Sequence, residues 1–347
     1  MTVHPTPGKR IVVTGATGNV GTSVVRALAR DPEVGSVLGL ARRRPGLRIE
    51  GVEWDTVDLS RPDCEDRLAT LLSGADAVVH LAWRFQPTHD PVVTWRSNVL
   101  GSLRLFEAVA AAGVPALVHA SSVGAYSPGP KTEPGVDEGW PTHGWPDAAY
   151  CREKAYLERV LDTFELRHPQ IRVVRMRPGF LFKETAAPEQ RRIFAGRYVP
   201  GNLLRPDLLP FVPDLEGLRF QVLHTDDAAE AYRLAVLRDV RGPFNLATDT
   251  VTDARELAGL LGARIVRVPR AVVRTALSAA WRAHAVPASP HLFDAVLRLP
   301  VLDSTRARQE LGWEPVHTAA EALTAFLRGV RRGEGEDTEP LAGKRLG

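Results

Sequence analysis

The hydrophobic residues of the first half of the chain form short continuous runs that alternate with helix-length segments. Runs typical of buried strands are Arg10–Thr14, Ser36–Leu40, Glu53–Val57, Ala75–Leu81, Pro115–Ala120 and Ile171–Met176. Helices are predicted from the turn after Thr14 through Arg30, over Pro91–Ala112 and over Ala148–His168. Continuous apolar strands with intervening helices indicate a parallel sheet that is covered on both faces. The order of elements predicts a doubly wound α/β fold.

The pattern changes after Met176. Residues 179–220 are rich in Pro, Arg and Leu, and their weak periodicity predicts a smaller lobe over the sheet edge. The later predicted elements are strands over Gln221–His224, Pro243–Ala247 and Arg264–Val268, a helix over Thr252–Gly262 and a helical region at Leu292–Arg298. We therefore expect a sheet domain over residues 1–178, with segments returning near 221–232 and 243–248, and a lobe mostly over 179–330. The charged, Gly-rich residues 331–347 predict a disordered tail.

Composition narrows the function classes. The chain has 347 residues, 44% hydrophobic and 24% charged, with a formal net charge of +3, which suits one large domain or two unequal lobes. It carries no stripe of basic and aromatic residues, so we expect no nucleic-acid partner. Two cysteines, Cys64 and Cys151, make no disulfide framework and favour a reducing cytoplasm. Cys151 has no activating partner in the sequence, and no metal site is predicted.

The same pattern speaks against stable insertion into a membrane. Met1–Lys9 lacks the apolar core of a signal peptide. The most apolar late segment, Ala271–Val286, is interrupted by Arg274, Arg282 and His284. A helix of a soluble domain is the favoured interpretation, with a peripheral membrane contact as the alternative.

A glycine-rich loop follows the first predicted strand and begins the first helix. Its sequence, from Thr14 to Gly21, is TGATGNVG. Glycines permit a tight turn and a close approach of the backbone to a pyrophosphate, and the helix N-terminus offers free N–H groups. We expect Gly15, Thr17, Gly18, Asn19, Val20 and Gly21 to bind a dinucleotide.

Tyr150 and Lys154 follow far downstream, after Ser122. Spacing by four residues places the two side chains on one face of a helix. An ammonium beside a phenol is expected to lower the pKa of the tyrosine, which then exchanges protons near neutral pH. Combined with the dinucleotide loop, the pair predicts hydride chemistry on an alcohol or ketone.

Several further short segments occur along the chain in a recognisable order. The loop spacing is Gly-x-x-Gly-x-x-Gly, and the other segments are Val57–Leu59, His80–Ala82, Asn98–Gly101, Ala120–Val123, Arg177–Pro178, His224–Asp227 and Leu311–Pro315. With Tyr150 and Lys154, they make residues 10 to 325 resemble an extended short-chain dehydrogenase/reductase of the NAD-dependent epimerase/dehydratase type. The resemblance implies an enzyme with a Rossmann domain and a C-terminal substrate-binding lobe.

The resemblance also implies a role for each matched residue. Tyr150 exchanges the proton and Ser122 hydrogen-bonds the reacting oxygen. Lys154 holds the nicotinamide ribose and tunes Tyr150. Asn98 supports the catalytic site through its helix, and Asp58 meets the adenine amino group. A helix hydrogen bond is an equally good interpretation of Asn98, and a turn at the strand end is the alternative for Asp58.

The remaining matched positions extend the cofactor site. Arg177 and Pro178 are expected near the nicotinamide end, with a surface ion pair as the alternative for Arg177. The other residues expected along the cofactor are Leu59, Leu81, Ala82, Trp83 and Ala120.

The end of the second strand bears on the choice of nicotinamide cofactor. Ala41 stands where NAD-dependent relatives carry an aspartate, and Arg42 and Arg43 follow it. Arginine accommodates a 2′-phosphate, and no carboxylate would repel one. The sequence favours NADP(H), with NAD(H) as the alternative.

Several departures from the family pattern concern the substrate. Val123 and Gly124 replace the acid pair of sugar-nucleotide dehydratases, and Phe220 replaces an expected arginine. Aromatic residues follow the fourth strand, where ligand clefts open. Candidate substrate residues are Arg84, Phe85, Ser122, Val123 and Phe180; His89 is interpreted as structural.

These observations leave three hypotheses. The favoured one is a cytoplasmic NADP(H)-preferring oxidoreductase acting on a small alcohol or ketone, similar to dihydroflavonol reductase or 3β-hydroxysteroid dehydrogenase relatives. The alternatives are an epimerase of sugars or sugar nucleotides and a non-catalytic nucleotide-binding protein. The resemblance also implies a possible homodimer through two long helices near residues 91–112 and 148–168.

Overall fold

The computed structural model describes residues 8–86, 88–194 and 210–343. Its strands are β1 (Lys9–Thr14), β2 (Val34–Ala41), β3 (Val52–Thr56), β4 (Ala77–His80), β5 (Ala116–Ala120), β6 (Arg172–Pro178), β7 (Phe180–Phe182), β8 (Phe211–Asp214), β9 (Phe220–His224), β10 (Gly242–Leu246), β11 (Val251–Thr252) and β12 (Arg264–Arg267). Its α-helices are α1 (Asn19–Ala29), α2 (Glu65–Leu72), α3 (Pro91–Trp95), α4 (Gly101–Ala111), α5 (Ala149–Arg167), α6 (Ala187–Phe194), α7 (Thr225–Leu237), α8 (Ala254–Leu261), α9 (Arg270–Arg282), α10 (Pro290–Val296) and α11 (Ala319–Arg332).

A seven-stranded parallel sheet confirms the predicted fold class. Its strand order is β10-β6-β5-β4-β1-β2-β3. Alternate residues of β1 face opposite sides, as the pleat requires: Ile11 and Val13 pack into the core that contains α1 and α7, whereas Val12 packs into the core that contains α2 and α4. Burial on both faces explains why the strands are continuous apolar runs rather than alternating ones.

Two small sheets lie outside the large one. One has the order β11-β9-β7 and the other pairs β12 with β8. The segments predicted to return to the sheet domain do so only in part. Strand β9 belongs to the small sheet β11-β9-β7. Helix α7 shares a core cluster with α1, and β10 extends the large sheet beside β6. The predicted lobe falls partly on residues 195–209, which are outside the described residues.

The chain after α11 differs from the predicted disordered tail. Its described part, residues 333–343, packs against the sheet domain. The Glu336 carboxylate accepts hydrogen bonds from Arg26, at 2.6 and 3.1 Å, and the side chain of Leu341 is fully buried. Charge and glycine content predict disorder only when no partner surface exists, and here basic residues distant in sequence supply one. Residues 344–347 lie outside the described residues.

The apolar segment around Ala271–Val286 forms α9, as expected. No side chain of this helix is buried. None of the helices in the described ranges combines the length and the hydropathy needed to cross a membrane.

A buried carboxylate links helix α5 to strands β5 and β6 of the large sheet. Glu158 of α5 is 1% exposed and accepts hydrogen bonds from Arg177, at 2.9 and 2.8 Å, and from Arg175, at 3.1 Å. Ser121, at the end of β5, donates to the same carboxylate. Burial alone would raise the pKa of Glu158, but the hydrogen bonds and charges of the two arginines outweigh it and lower the pKa to about 2.

We expect Glu158→Gln to lower the free energy of unfolding by about 3–5 kcal/mol, because it leaves buried arginine charge uncompensated. The depressed pKa stabilises the fold fully above pH 4.5, and this stabilisation is lost as the pH falls from 4.5 towards 2. Denaturant unfolding between pH 7 and 2 measures both effects. Glu107→Gln, at the exposed Arg167 pair, is the control and should change stability by less than about 1 kcal/mol. Equal stability of the Glu158 variant and the control would contradict the assignment.

Candidate functional site

The carboxyl ends of the parallel strands open onto one cavity of about 360 Å³. All the predicted site residues except Arg43 and Arg177 line it. They are Gly15, Thr17, Gly18, Asn19, Val20, Gly21, Arg42, Asp58, Leu59, Leu81, Ala82, Trp83, Arg84, Phe85, Asn98, Ala120, Ser122, Val123, Tyr150, Lys154, Pro178 and Phe180. Residues from distant parts of the chain meet here because ligand clefts form where the parallel strands of a doubly wound sheet end.

The three glycines of the loop differ in the space around them and therefore in why a glycine is needed. Gly15 has φ +69°, and a methyl group on it would lie 2.5 Å from the Ala82 backbone nitrogen. A methyl group on Gly21 would lie 2.2 Å from the Gly15 carbonyl oxygen. Gly18 is different, because a methyl group there would meet nothing closer than 3.6 Å within the protein. The bare backbone of Gly18 is therefore open towards the cavity.

The N-terminus of α1 lies beside this opening. Gly18 is its N-cap and provides no side-chain hydrogen bond to the first turn. The Asn19 N–H donates to the Glu189 carboxylate at 3.2 Å. Exposed N–H groups, the helix dipole and a glycine with space above it suit the pyrophosphate of a dinucleotide. The residues present thus fit the cofactor that the loop predicts.

A buried histidine fixes the strand that carries the loop. The Nδ1 atom of His80, in β4, lies 2.7 Å from the Thr14 hydroxyl, and its Nε2 atom lies 2.8 Å from the Ser102 hydroxyl. Burial lowers the pKa of His80 to about 3, so the ring is neutral. The histidine holds the end of β1 against α4.

The adenosine end of the cavity is built from the ends of β2 and β3. Asp58 lines it, and its Oδ1 atom accepts from the Ser60 N–H at 3.0 Å and the Ser60 hydroxyl at 2.7 Å. Asp58 therefore stabilises a turn at the strand end and also lines the cavity. Arg42 lines the cavity, but the Arg43 guanidinium pairs instead with Glu339.

The three expected catalytic side chains meet at the other end. Ser122 follows β5 and accepts a hydrogen bond from the Gly124 N–H at 3.0 Å. A methyl group on Gly124 would lie 2.7 Å from the Tyr150 ring and 3.4 Å from the Ser122 oxygen, which shows how closely the two approach. The Lys154 ammonium donates to the Ala120 carbonyl at 2.6 Å and lies 3.5 Å above the Trp83 ring.

The expectation that Lys154 lowers the pKa of Tyr150 is wrong. Burial raises the pKa of Tyr150, and only its hydrogen bond with Ser122 opposes this. The lysine does not lower it, because its ammonium lies 6.0 Å from the centre of the Tyr150 ring and points to the Ala120 carbonyl. Burial instead lowers the pKa of Lys154 to about 7, although the nearby carboxylates of Glu153 and Glu158 act to raise it.

Asn98 lies in a π-helical turn, Arg96–Leu100, that interrupts the single helix predicted over residues 91–112. Its side-chain oxygen accepts from the Arg84 N–H at 2.7 Å. Its amide donates to the Arg84 carbonyl and to Glu153, at 2.9 and 2.7 Å. Asn98 thereby holds the loop after β4 against α5. Sequence reasoning missed Glu153, although it stands three residues after Tyr150 on the same helix.

The substrate end of the cavity is predominantly apolar. The Phe85 ring stacks on the Tyr150 ring, with centroids 4.7 Å apart. The Trp83 ring meets the same tyrosine edge-on at 5.6 Å. Phe180 and Val123 lie nearby on the wall. Sequence reasoning missed other residues of the cavity wall, because no local motif marks them. Among them are Gln190, Ile193, Leu292, Ala295, Val296 and Leu299.

Three further residues of interest are placed elsewhere. Arg177 is not at the nicotinamide end, because its guanidinium binds Glu158 in the interior, and neither is it on the surface. The ring of His89 stacks on those of Trp281 and His284, consistent with packing. Burial raises the pKa of the Cys151 thiol to about 12, which disfavours the nucleophilic thiolate.

Among the described residues, no group of three or more His, Cys, Asp or Glu side chains is placed to hold a metal ion.

Comparisons with known proteins find a matching family model and similar sequences. The model of the NAD dependent epimerase/dehydratase family matches residues 11–247. An uncharacterized protein of Mycobacterium tuberculosis is 26% identical over 94% of this chain and 85% of its own length. The UDP-glucose 4-epimerase of Mycolicibacterium smegmatis is 28% identical over 93% of this chain and 98% of its own length.

The fold also has close counterparts among solved structures. The UDP-glucose 4-epimerase of Thermus thermophilus, in complex with NAD, superposes with a TM-score of 0.68 at 22% identity, over 93% of this chain and 99% of the other. The family match covers more than half of the chain and includes the glycine loop, Ser122, Tyr150 and Lys154. The chain belongs to the NAD-dependent epimerase/dehydratase family, whose members are enzymes of the extended short-chain dehydrogenase/reductase type.

Proposed function

We propose that the protein is an oxidoreductase that transfers a hydride between a nicotinamide cofactor and a small alcohol or ketone of low polarity. One observation carries the proposal. Ser122, Tyr150 and Lys154 converge in the cavity that the glycine loop also lines, and the wall beside them is formed by Trp83 and Phe85 with other apolar side chains. An apolar wall with few polar groups suits a compact organic substrate better than a charged diphosphate.

Each catalytic side chain has a defined task in this proposal. The nicotinamide, when bound, supplies the hydride exchange. The Tyr150 hydroxyl gives or takes the proton of the substrate oxygen, and the Ser122 hydroxyl stabilises charge on that oxygen by a hydrogen bond. Lys154, with its pKa lowered to about 7, is a nearby group that gains or loses a proton near neutral pH. The stacked Phe85 ring excludes water from Tyr150.

NADP(H) is the proposed cofactor, with NAD(H) as the alternative. The support is the composition of the adenosine end, where Ala41 and Arg42 line the cavity. A 2′-phosphate meets a guanidinium there, whereas an acid would favour the 2′-hydroxyl of NAD(H).

A second candidate function is epimerisation of a sugar or sugar nucleotide. It is favoured by the likeness to the epimerase of Mycolicibacterium smegmatis, at 28% identity over nearly the whole chain. An epimerase uses the same serine, tyrosine and lysine but consumes no net cofactor. Tightly copurifying NAD and no net oxidation of NADPH distinguish it from the first candidate.

We also propose a cytoplasmic homodimer. Large apolar side chains are exposed on the two helices expected at the interface: Val92 at 62% on α3, and Tyr156 at 42% and Leu166 at 83% on α5. A second copy would cover them, because homodimer interfaces are richer in apolar area than the free surface. Cys64 and Cys151 are both free thiols, in keeping with a reducing compartment.

We expect Tyr150→Phe to lower turnover by about 10²–10⁴-fold, the usual contribution of a general acid or base. Affinity for the cofactor should stay within about twofold, because the ring and its packing remain. NADPH oxidation with a panel of small ketones measures turnover, and calorimetry measures binding. Thr70→Val, which removes an exposed hydroxyl from α2 away from the cavity and the proposed interface, is the control. Wild-type rates in the Tyr150 variant would sink the mechanism.

We expect Arg42→Ala combined with Arg43→Ala to weaken NADPH binding by about tenfold and NADH binding by less than about twofold, because only NADPH carries a 2′-phosphate. Calorimetry with both cofactors makes the comparison. Arg48→Ala, at an exposed arginine in the same loop, should change neither affinity. Equal weakening of the two cofactors would reject a role for these arginines at the 2′-phosphate.

We expect Gly18→Ala to fold normally and to weaken both cofactors by about tenfold or more. Its φ of −83° suits alanine, and no protein atom lies closer than 3.6 Å to the added methyl group. The methyl group would instead obstruct a pyrophosphate at the helix N-terminus. Gly259→Ala, in α8 with open space around it, is the control. Unchanged affinity in the Gly18 variant, measured by calorimetry, would place the pyrophosphate elsewhere.

A further inference from the structure

The last described residues cross the rim of the cofactor cavity. We call residues 333–343, which follow α11, the C-terminal strap. The Thr338 hydroxyl donates to the Thr17 carbonyl of the glycine loop at 2.9 Å, and the Leu47 N–H donates to the Asp337 carbonyl at 3.0 Å. Pro340 lines the cavity itself. The strap therefore spans from the loop after β2 to the glycine loop.

Ion pairs hold the strap in this position. The Glu336 carboxylate binds Arg26, accepts from the Thr185 hydroxyl at 2.7 Å and lies 3.5 Å from the Lys183 ammonium. The Arg192 guanidinium donates to the backbone carbonyls of the strap. These contacts involve α1, α6 and the segment between β7 and α6. The strap is therefore held by elements that are distant from one another in the sequence.

The strap places one carboxylate on an arginine of the adenosine end. Glu339 pairs with Arg43, and both side chains are partly exposed. A guanidinium binds a carboxylate and a phosphate through the same planar donor geometry. A 2′-phosphate and Glu339 therefore compete for Arg43. NAD(H) has no such phosphate and does not enter this competition.

A second carboxylate lies at the pyrophosphate end. The Glu189 Oε2 atom accepts from the Asn19 N–H at the start of α1, and its Oε1 atom faces the open side of Gly18. A pyrophosphate uses the same N–H groups and the same helix dipole. Burial raises the pKa of Glu189 to about 7, although the Asn19 N–H opposes this. Both nicotinamide cofactors carry the pyrophosphate, so this competition does not depend on the 2′ substituent.

We propose that Glu339 and Glu189 compete with the cofactor for its binding groups, and that Glu339 alone sets specificity between NADP(H) and NAD(H). Glu339 competes with a 2′-phosphate for Arg43 and weakens NADP(H) alone. Glu189 competes with a pyrophosphate at the start of α1 and weakens NADP(H) and NAD(H) equally. The inference rests on the proposed function, since it requires a dinucleotide in this cavity.

Calorimetric titration of the full-length protein with NADPH and with NADH tests both roles. Glutamine preserves the size of each side chain and removes its charge. We expect Glu339→Gln to tighten NADPH binding about two- to fivefold, as the release of an exposed ion pair permits, and to leave NADH binding unchanged. We expect Glu189→Gln to tighten both cofactors by a common factor of about ten.

Glu334→Gln is the matched control. Glu334 belongs to the strap, pairs with Arg332 and does not line the cavity, so both affinities should equal those of the wild type. Thermal unfolding verifies that each variant is folded. A Glu339 variant that changes both cofactors equally, or neither, overturns its role. A Glu189 variant with unchanged or weaker binding overturns the other. Wild-type protein that binds neither dinucleotide contradicts the proposed function itself, and with it this inference.

Discussion

The carboxylate of Glu158 is the constraint on which the geometry of the proposed catalytic residues depends. It accepts hydrogen bonds from two buried arginines of β6 and from Ser121 at the end of β5. Ser122 is the next residue, and Lys154 and Tyr150 lie one and two turns earlier on the same helix as Glu158. One ion-paired group thus joins the strand end that carries the serine to the helix that carries the tyrosine and the lysine. A charge this deeply buried persists only because it is fully paired.

Lys154 is another buried charge of the same helix, and it is held differently. Its ammonium has a backbone carbonyl and the face of Trp83 as its nearest partners, rather than a paired carboxylate. Burial therefore dominates and lowers its pKa to about 7. Such perturbed groups concentrate at functional sites, because catalysis needs side chains that change protonation in the working range. Within a single helix, Glu158 is thus a charge with a structural role, whereas Lys154 is a group suited to proton exchange.

Sequence reasoning succeeded where a local pattern has one physical explanation. Strands buried on both faces must be apolar throughout, so the large sheet was predictable from short hydrophobic runs. The glycine loop was predictable because Gly15 needs a positive φ and Gly21 has no room for a side chain. In contrast, the sequence could not show that Arg43 pairs with Glu339, because the two residues lie 296 positions apart.

The sequence by itself determined the fold class, and it predicted the dinucleotide loop and the side chains proposed here as catalytic. These depend on periodicity, glycine stereochemistry and the spacing of residues on one helix, all of which are local. Only the tertiary structure decided the pKa order of Tyr150 and Lys154, the interior position of Arg177 and the packing of the residues after α11. These depend on burial and on ion pairs between distant segments, and such properties arise only when the chain has folded.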